Sequence, residues 1–148
     1  MAKIKPEYEP LEDFNEVAKA LCVKYPDIFA DIDPDAIRCY CINNKERPEK
    51  TKPWELKPVQ YPIRLDCDYA WYVTLYLNEW EEMSDKRRAI LVASVLCGIG
   101  EDGKMNPFDL KDFDLMVRSF GLDYQDSEDV PDIINDNFDW KVTARGGR

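Results

Sequence analysis

Hydrophobic residues at helical spacing predict an amphipathic helix near each end of the chain. Between residues 11 and 25 they recur mostly every three or four positions, and Pro26 follows. Between residues 107 and 120 the same spacing recurs, and Gly121 follows. Residues three and four apart share one face of a helix, so each segment has a face suited to a core. The two faces consist of Leu11, Phe14, Val17, Ala18, Leu21 and Cys22, and of Leu110, Phe113, Met116, Val117 and Phe120.

A third helical segment, residues 86–99, is apolar on nearly every side. After three basic residues, every position up to Gly98 is apolar except Ser94. A helix that is apolar all round is a buried helix. Ser84 is a suitable N-cap for a start near Asp85, and Gly98 is a suitable stop signal. We therefore expect this helix at the centre of the molecule.

Strand patterns occupy the part of the chain between the N-terminal helix and the buried helix. Residues 36–42 predict one strand, and residues 61–77 predict one or two strands. The portion from 68 to 77 is rich in the aromatic and β-branched residues that favour sheets. Asn78-Glu79-Trp80 is then predicted to turn the chain toward the buried helix.

The segment from residue 43 to residue 60 is basic and rich in proline. We interpret it as a solvated connection between two strands, with Trp54 and Tyr61 as its anchors. The alternative is a partner-contact loop, because Trp and Arg are favoured at protein interfaces.

The order of these elements predicts a small α+β domain: an N-terminal helix, a short antiparallel or mixed sheet, and two C-terminal helices. A chain of 148 residues fits one domain, which we assign to residues 11–140. Residues 1–10 are predicted to be a flexible arm, and residues 141–148 a basic tail. No apolar run approaches the ~20 residues of a membrane span, and the N-terminus has no apolar signal core. We expect a cytoplasmic protein.

The chain contains no histidine, which narrows the chemistry more than any other feature of its composition. Histidine is the usual general base near neutral pH and the commonest transition-metal ligand. Ser-His and Cys-His nucleophiles are therefore excluded. Most of the five cysteines are expected to be reduced and buried, where they act as small hydrophobic residues. The alternative is a structural zinc site made by Cys39, Cys41, Cys67 and Cys97.

Negative charge is concentrated in the C-terminal third. The formal net charge is -10, and residues 101–140 hold twelve acidic and three basic residues, about -9 of that total. This charge opposes direct nucleic-acid binding but permits binding to a basic protein surface. One interpretation is solubility alone; the other is that carboxylates imitate nucleic-acid phosphates. The predicted partner-binding residues are Asp109, Asp112, Asp114, Asp123, Asp126, Glu128, Asp129 and Asp132. The apolar residues predicted to dock the acidic end onto the body are Ile133, Ile134, Phe138 and Trp140.

Six short motifs follow one another along residues 11–124. They are Asn78-Glu79-Trp80, Arg87-Arg88-Ala89, Glu101-Asp102-Gly103, Phe108-Asp109, Asp112-Phe113 and Phe120-Gly121-Leu122. In their order the chain resembles the zincin-like family of phage metallopeptidases, whose Arg-Arg-Ala segment leads into a zinc-binding His-Glu-x-x-His helix. The resemblance implies a zincin-like fold for the α+β domain. It also implies a zinc site on the buried helix.

The positions that the resemblance assigns to zinc chemistry hold other residues. Ala93 stands at the first histidine, Ser94 at the glutamate and Cys97 at the second histidine. Phe108 stands where the third histidine is implied, and Asp109 beside it remains. A catalytic zinc normally has three protein ligands and a water. We therefore expect no metal, no cofactor and no peptidase activity.

Three functions remain open on these observations. The first is an inactive metallopeptidase-like protein that works by protein binding. By analogy with phage proteins, it would be an acidic inhibitor of a host defence nuclease, of the anti-CRISPR or anti-restriction kind, in the host cytoplasm. The second is a metal-dependent hydrolase with non-standard ligands. The third is a structural module that self-associates through an aromatic strand and loop, including Trp54, Trp71 and Trp80.

Overall fold

A computed structural model describes residues 5–29, 32–49, 51–100, 114–120 and 130–140 of the chain. Within these residues it has four strands, four helices and two short 3-10 turns. The strands are β1 (Tyr8–Pro10), β2 (Ile37–Ile42), β3 (Trp54–Pro58) and β4 (Trp71–Tyr76). The helices are α1 (Glu12–Lys24), α2 (Leu77–Glu82), α3 (Asp85–Cys97) and α4 (Asp114–Phe120). The 3-10 turns are Pro34–Ala36 and Ile63–Asp66.

The four strands form one mixed sheet in the order β1-β2-β4-β3. β2 and β4 are parallel, whereas β1 and β3 pair antiparallel on the two outer sides. Val73 lies opposite Cys39 on one side and opposite Leu56 on the other, and all three are buried. Alternate side chains of a strand point to opposite faces. One face of the sheet is therefore the core face, and the predicted small α+β domain with a mixed sheet is confirmed.

Both outer strands correct the sequence prediction. Residues 8–10 were assigned to a flexible arm but form β1, and residues 54–58 were assigned to a connection but form β3. Each of these strands ends at a proline, Pro10 or Pro58. Proline lacks a backbone donor and is tolerated at a sheet edge, so proline-rich segments can still form edge strands.

α1 confirms the first predicted helix and covers the core. Phe14, Ala18 and Leu21 on its inner face are buried, and the helix packs against α3 and β2. Acidic residues stand in its first turn and Lys24 in its last turn. That distribution matches the helix dipole, which favours negative charge at the N-terminus and positive charge at the C-terminus.

α3 confirms the predicted central helix. Every residue from Ala89 to Leu96 is buried. The Ser84 hydroxyl accepts a hydrogen bond from the Arg87 N–H at 3.4 Å, as an N-cap does. At the other end the Gly98 N–H donates to the Val95 carbonyl at 2.9 Å. The core is thus built around a helix with very little exposed surface.

Two segments before α3 differ from the prediction. Asn78-Glu79-Trp80 was predicted as a turn but lies inside α2, because Trp80 is buried and its carbonyl accepts from Arg88 Nε at 2.9 Å. Packing and this bond to α3 hold a helix too short to be stable alone. Residues 61–66 were predicted as strand but form a turn and a 3-10 turn, since Pro62 cannot supply a ladder donor.

The C-terminal part is described only in two pieces. α4 falls within the predicted helix 107–120, and residues 107–113 lie outside the described residues. Ile133 is fully buried, and Ile134, Phe138 and Trp140 pack against the core, so the predicted docking of this segment is confirmed. The predicted basic tail, residues 141–148, lies outside the described residues. No helix in the described ranges is long and apolar enough to cross a membrane.

Candidate functional site

The positions on α3 that the resemblance assigns to zinc lie inside the core. Ala93 and Ser94 are both 0% exposed, and Cys97 is partly buried near the end of the helix. Ala93 and Cys97 are four residues apart and therefore share one helical face. The helix places these side chains as a ligand pair would be placed, but the two residues contribute only a methyl group and a thiol.

The residues present do not fit a catalytic zinc ion. Ala93 has no donor atom, and Cys97 alone cannot supply the three protein ligands that such an ion normally takes. No three His, Cys, Asp or Glu side chains converge on a possible metal position within the described ranges. Phe108 and Asp109, at the position of the implied third ligand, lie outside them. The chemistry of the α3 donor set is therefore unlike that of a zinc peptidase.

The cysteines do not combine into a site in the described part of the chain. Cys39 and Cys41 lie on the core side of β2, and all five thiols are free of disulfides. Burial raises the pKa of the Cys39 thiol, and burial together with the nearby Glu9 carboxylate raises the pKa of Cys41 to about 11. Cys67 is elsewhere engaged, since its sulfur accepts from the Tyr69 N–H at 3.4 Å. At neutral pH the β2 thiols hold their protons, which makes them poor ligands and poor nucleophiles.

Two of the family-like motifs meet in a structural contact. The Arg88 guanidinium lies 5.1 Å from the centre of the Trp80 ring, and Arg88 Nε also donates to the Trp80 carbonyl. The Trp80 ring in turn lies 6.4 Å from that of Phe14 on α1. Cation-π contacts of this kind stabilise partly buried arginines. The Asn78-Glu79-Trp80 and Arg87-Arg88-Ala89 motifs thus join α2 to α3.

The described part of the acidic C-terminal segment, residues 130–140, is held to the body by residues at the end of α1. Lys24 Nζ donates to the carbonyls of Ile134 and Asp136, at 2.5 and 2.6 Å. The Tyr25 hydroxyl donates to the carbonyls of Ile133 and Asp136. These contacts bind backbone oxygens and leave the carboxylate of Asp136 exposed. Sequence reasoning missed this role of Lys24 and Tyr25, because hydrogen bonds to a distant backbone leave no pattern in the sequence.

An aromatic cluster around Trp140 completes the docking of this segment. The Trp140 ring makes edge-on contacts with four other rings, at centre distances between 5.3 and 5.6 Å. Edge-to-face packing at such distances is favourable beyond the area that it buries. The four rings are those of Tyr25, Phe29, Phe120 and Phe138.

Of the eight predicted partner-binding side chains, the structure describes one. The Asp132 carboxylate accepts from the backbone N–H groups of Ile134 and Asn135, at 3.3 and 3.0 Å, and from the Asn135 side chain at 2.8 Å. The hydrogen bond from the Asn135 backbone is the main cause that lowers the pKa of Asp132. Asp132 therefore organises a turn, and its role in partner binding stays a prediction. The side chains of Asp109, Asp112, Asp114, Asp123, Asp126, Glu128 and Asp129 lie outside the described residues.

The basic loop pairs with α2. Arg47 Nε lies 3.0 Å from each carboxylate oxygen of Glu79, and Arg47 Nη1 donates to the Thr51 carbonyl at 2.5 Å. Trp54 is buried, as an anchor should be, but Tyr61 is 73% exposed and anchors nothing, so that part of the prediction is wrong.

The three tryptophans named for self-association belong to the core of a single chain. Trp54, Trp71 and Trp80 are each at most 6% exposed. Their rings are therefore not available to a second molecule, and the prediction of an association surface made by them is wrong. The strand and loop patterns alone did not distinguish a buried aromatic face from an exposed one.

One family model matches this chain, over residues 6–137, and its description is "Putative phage metallopeptidase". No curated protein and no solved structure matches the chain. The match covers nearly all of the described elements, including the sheet, α2 and α3. The chain therefore belongs to the phage metallopeptidase family.

Proposed function

We propose that this protein is an inactive member of its family that works by binding a protein partner with a basic surface. The observation that carries the proposal is the identity and burial of the α3 residues at the implied zinc positions. Ala93 and Ser94 occupy the implied ligand and base positions, and both are fully buried in an apolar core. Neither side chain can activate a water molecule in the way that a zinc ligand set and a glutamate do.

Burial makes this loss of chemistry difficult to repair. A zinc ion at Ala93 would need ligand atoms brought into a packed core, and core positions resist added volume. Ser94 would need an activating base, and the chain has no histidine to serve as one. The buried helix thus retains the architecture of the family while lacking its reactive groups.

The charge of the chain supports a basic partner. The acidic C-terminal region accounts for most of the net charge of -10, and its end is fastened to the body through its backbone. Fastening the backbone leaves Asp136 and Asp139 exposed to solvent. Carboxylates such as these two, on an ordered backbone, bind a cationic surface with a smaller entropy cost than carboxylates on a free chain do.

At its most specific, the proposal is an acidic inhibitor that occupies the nucleic-acid groove of a host nuclease in the host cytoplasm. Membership in a phage family and the acidic region support this version. Nucleases that target nucleic acid carry basic grooves, and a protein of high negative charge competes there with phosphates. Anti-CRISPR and anti-restriction activity are the corresponding functional classes.

The test of inactivity is the metal content and hydrolytic activity of the untagged chain. We expect no stoichiometric zinc by elemental mass spectrometry and no cleavage of a labelled casein substrate. One zinc per chain, with hydrolysis that Cys97→Ala abolishes, would instead establish the hydrolase with non-standard ligands.

The test of partner binding uses a panel of purified restriction enzymes and RNA-guided nucleases. We expect the chain to bind at least one of them, to inhibit its nucleic-acid binding and to lose affinity at high salt. Reversing two exposed charges on the acidic segment (Asp136→Lys with Asp139→Lys) should weaken binding. The matched control, Glu16→Lys with Asp27→Lys, reverses two exposed charges elsewhere. Equal effects of the two pairs, or no binding to any enzyme, would refute the nuclease version.

A further inference from the structure

The connection between β3 and β4 carries an exposed apolar cluster. Tyr61, Ile63 and Leu65 are 73%, 67% and 74% exposed, and they fall within five consecutive positions. Among the described residues only two other large hydrophobic residues are exposed, Tyr8 and Val23. We name Tyr61, Ile63 and Leu65 the apolar knob. Single exposed hydrophobic residues are ordinary on protein surfaces, whereas three within one short connection form a candidate interaction site.

The connection has a defined shape that presents the knob. Its two ends are joined by the hydrogen bond from the Val59 N–H to the Ala70 carbonyl, at 2.9 Å. Inside it, the N–H groups of Arg64 and Leu65 donate to the carbonyls of Gln60 and Pro62, at 2.9 and 3.0 Å. The knob therefore stands on a backbone that is already ordered, which lowers the entropy cost of binding.

The charges beside the knob indicate the chemistry of its partner. Asp66 and Asp68 are exposed, whereas the neighbouring Arg64 is partly buried and its Nη1 donates to the Cys67 carbonyl at 2.7 Å. The rim thus presents carboxylates, and the whole chain has a net charge of -10. A complementary surface has an apolar groove with lysine or arginine at its edge.

Two other occupants fit these observations less well. A second copy of the chain carries the same negative charge, so two copies repel each other. An anionic membrane surface repels Asp66 and Asp68. The charges therefore favour a protein groove with a basic rim.

We propose that the apolar knob is the anchor by which this protein binds the groove of a basic partner protein. This inference rests on the proposed function, since it assigns to that binding its apolar contact. The acidic residues guide and orient the complex, and the knob supplies the buried contact that keeps it together. Apolar anchors in desolvated pockets typically dominate the stability of such complexes.

The experiment measures how the full chain binds two synthetic peptides. One is an amphipathic helical peptide with a leucine stripe flanked by lysines, and the other has the same charge but serine in place of leucine. We expect the leucine peptide to bind more tightly than the serine peptide. The triple variant Tyr61→Ser, Ile63→Ser, Leu65→Ser should weaken binding of the leucine peptide by about tenfold or more and leave the serine peptide unaffected. The matched control is Val23→Ser, which removes an 81% exposed apolar side chain from α1 and should change neither affinity.

The outcomes separate this inference from the proposed function. Binding of both peptides with equal affinity, insensitive to the triple variant, would overturn the knob and leave the basic-partner proposal standing. Binding of neither peptide would count against both. A wild-type dimer in analytical ultracentrifugation that is lost in the triple variant would assign the knob to a second copy of the chain. Binding to phosphatidylcholine vesicles that the triple variant abolishes would assign the knob to a membrane surface. The double variant Asp66→Lys, Asp68→Lys provides a second test. It should weaken binding of the leucine peptide while leaving the side chains of the knob unchanged.

Discussion

At the scale of single residues, the helix to which the resemblance assigns the zinc positions is part of the core. Ala93 and Ser94 are fully buried, so the space that a ligand and a base would need is filled by packing. Cys97 remains beside that space, and no three His, Cys, Asp or Glu side chains converge on a metal position in the described part of the chain. The proposed function therefore depends more on the identities of these three residues than on the rest of the fold.

Replacing Ala93 by histidine tests whether the ligand position can still be refilled. We expect Ala93→His to lower the free energy of unfolding by at least about 2 kcal/mol, because it overfills the core and buries a polar ring. The measurement is urea unfolding followed by circular dichroism. Cys97→His, at a half-buried position, is the matched control and should cost less. A stable Ala93→His chain that binds zinc would contradict this view of the site.

The pKa of Asp132 predicts a particular response to acid. Hydrogen bonds from Asn135 and Ile134 lower the pKa of Asp132 below its usual value, so its ionised form stabilises the folded chain above that usual value. This stabilisation is lost as the pH falls through the lowered pKa. Asp132→Asn should therefore destabilise the protein at pH 7 and have a smaller effect at pH 2. Unfolding free energies at the two pH values measure this difference, and an equal loss at both would show that the carboxylate charge has no role.

At the scale of elements, residues 130–140 form a segment, here called the strap, that is attached to the body at two points. The Lys24 and Tyr25 side chains bind the backbone of residues 133–136, and the ring of Trp140 fills an aromatic cluster. The sheet, α1 and α3 also contact one another directly. Loosening the strap should therefore leave the central helix and the sheet intact.

Trp140→Ala tests the strap directly. Removing the ring deletes four aromatic contacts, and we expect a loss of up to about 3 kcal/mol in the local stability of residues 130–140. Hydrogen exchange should become faster in this segment and remain slow in α3. Asp139→Asn, an exposed change next to it, is the control and should leave exchange unaltered. Faster exchange in α3 to the same extent would mean that strap and core unfold together.

At the scale of the whole molecule, charge works against compactness. A net charge of -10 on 148 residues repels itself, and dissolved salt screens that repulsion. The same charge that favours a basic partner therefore lowers the stability of the free protein. Binding to a cationic surface neutralises part of the negative charge and so reduces this self-repulsion.

Salt should raise the melting temperature of the free chain. Between about 20 mM and 500 mM sodium chloride we expect an increase of a few degrees, equivalent to roughly 1 kcal/mol for a chain of this length. Differential scanning calorimetry measures the shift. The variant with asparagine or glutamine at Asp123, Asp126, Glu128 and Asp129 should show a smaller increase, because less repulsion remains to be screened. A fall in melting temperature with salt would instead indicate that ion pairs dominate.

The sequence by itself determined the elements whose patterns are local. Helical spacing placed α1, a nearly continuous apolar run placed α3, and β-branched and aromatic content placed β2 and β4. Family-like motifs directed attention to residues 93, 94 and 97. Only the tertiary structure decided what depends on distant partners. Tyr8–Pro10 and Trp54–Pro58 become strands by pairing with β2 and β4, and Trp80 belongs to a helix because it packs on α1 and contacts Arg88. Local propensity is encoded in neighbouring residues, whereas edge pairing, burial and the docking of the acidic segment depend on surfaces that exist only after folding.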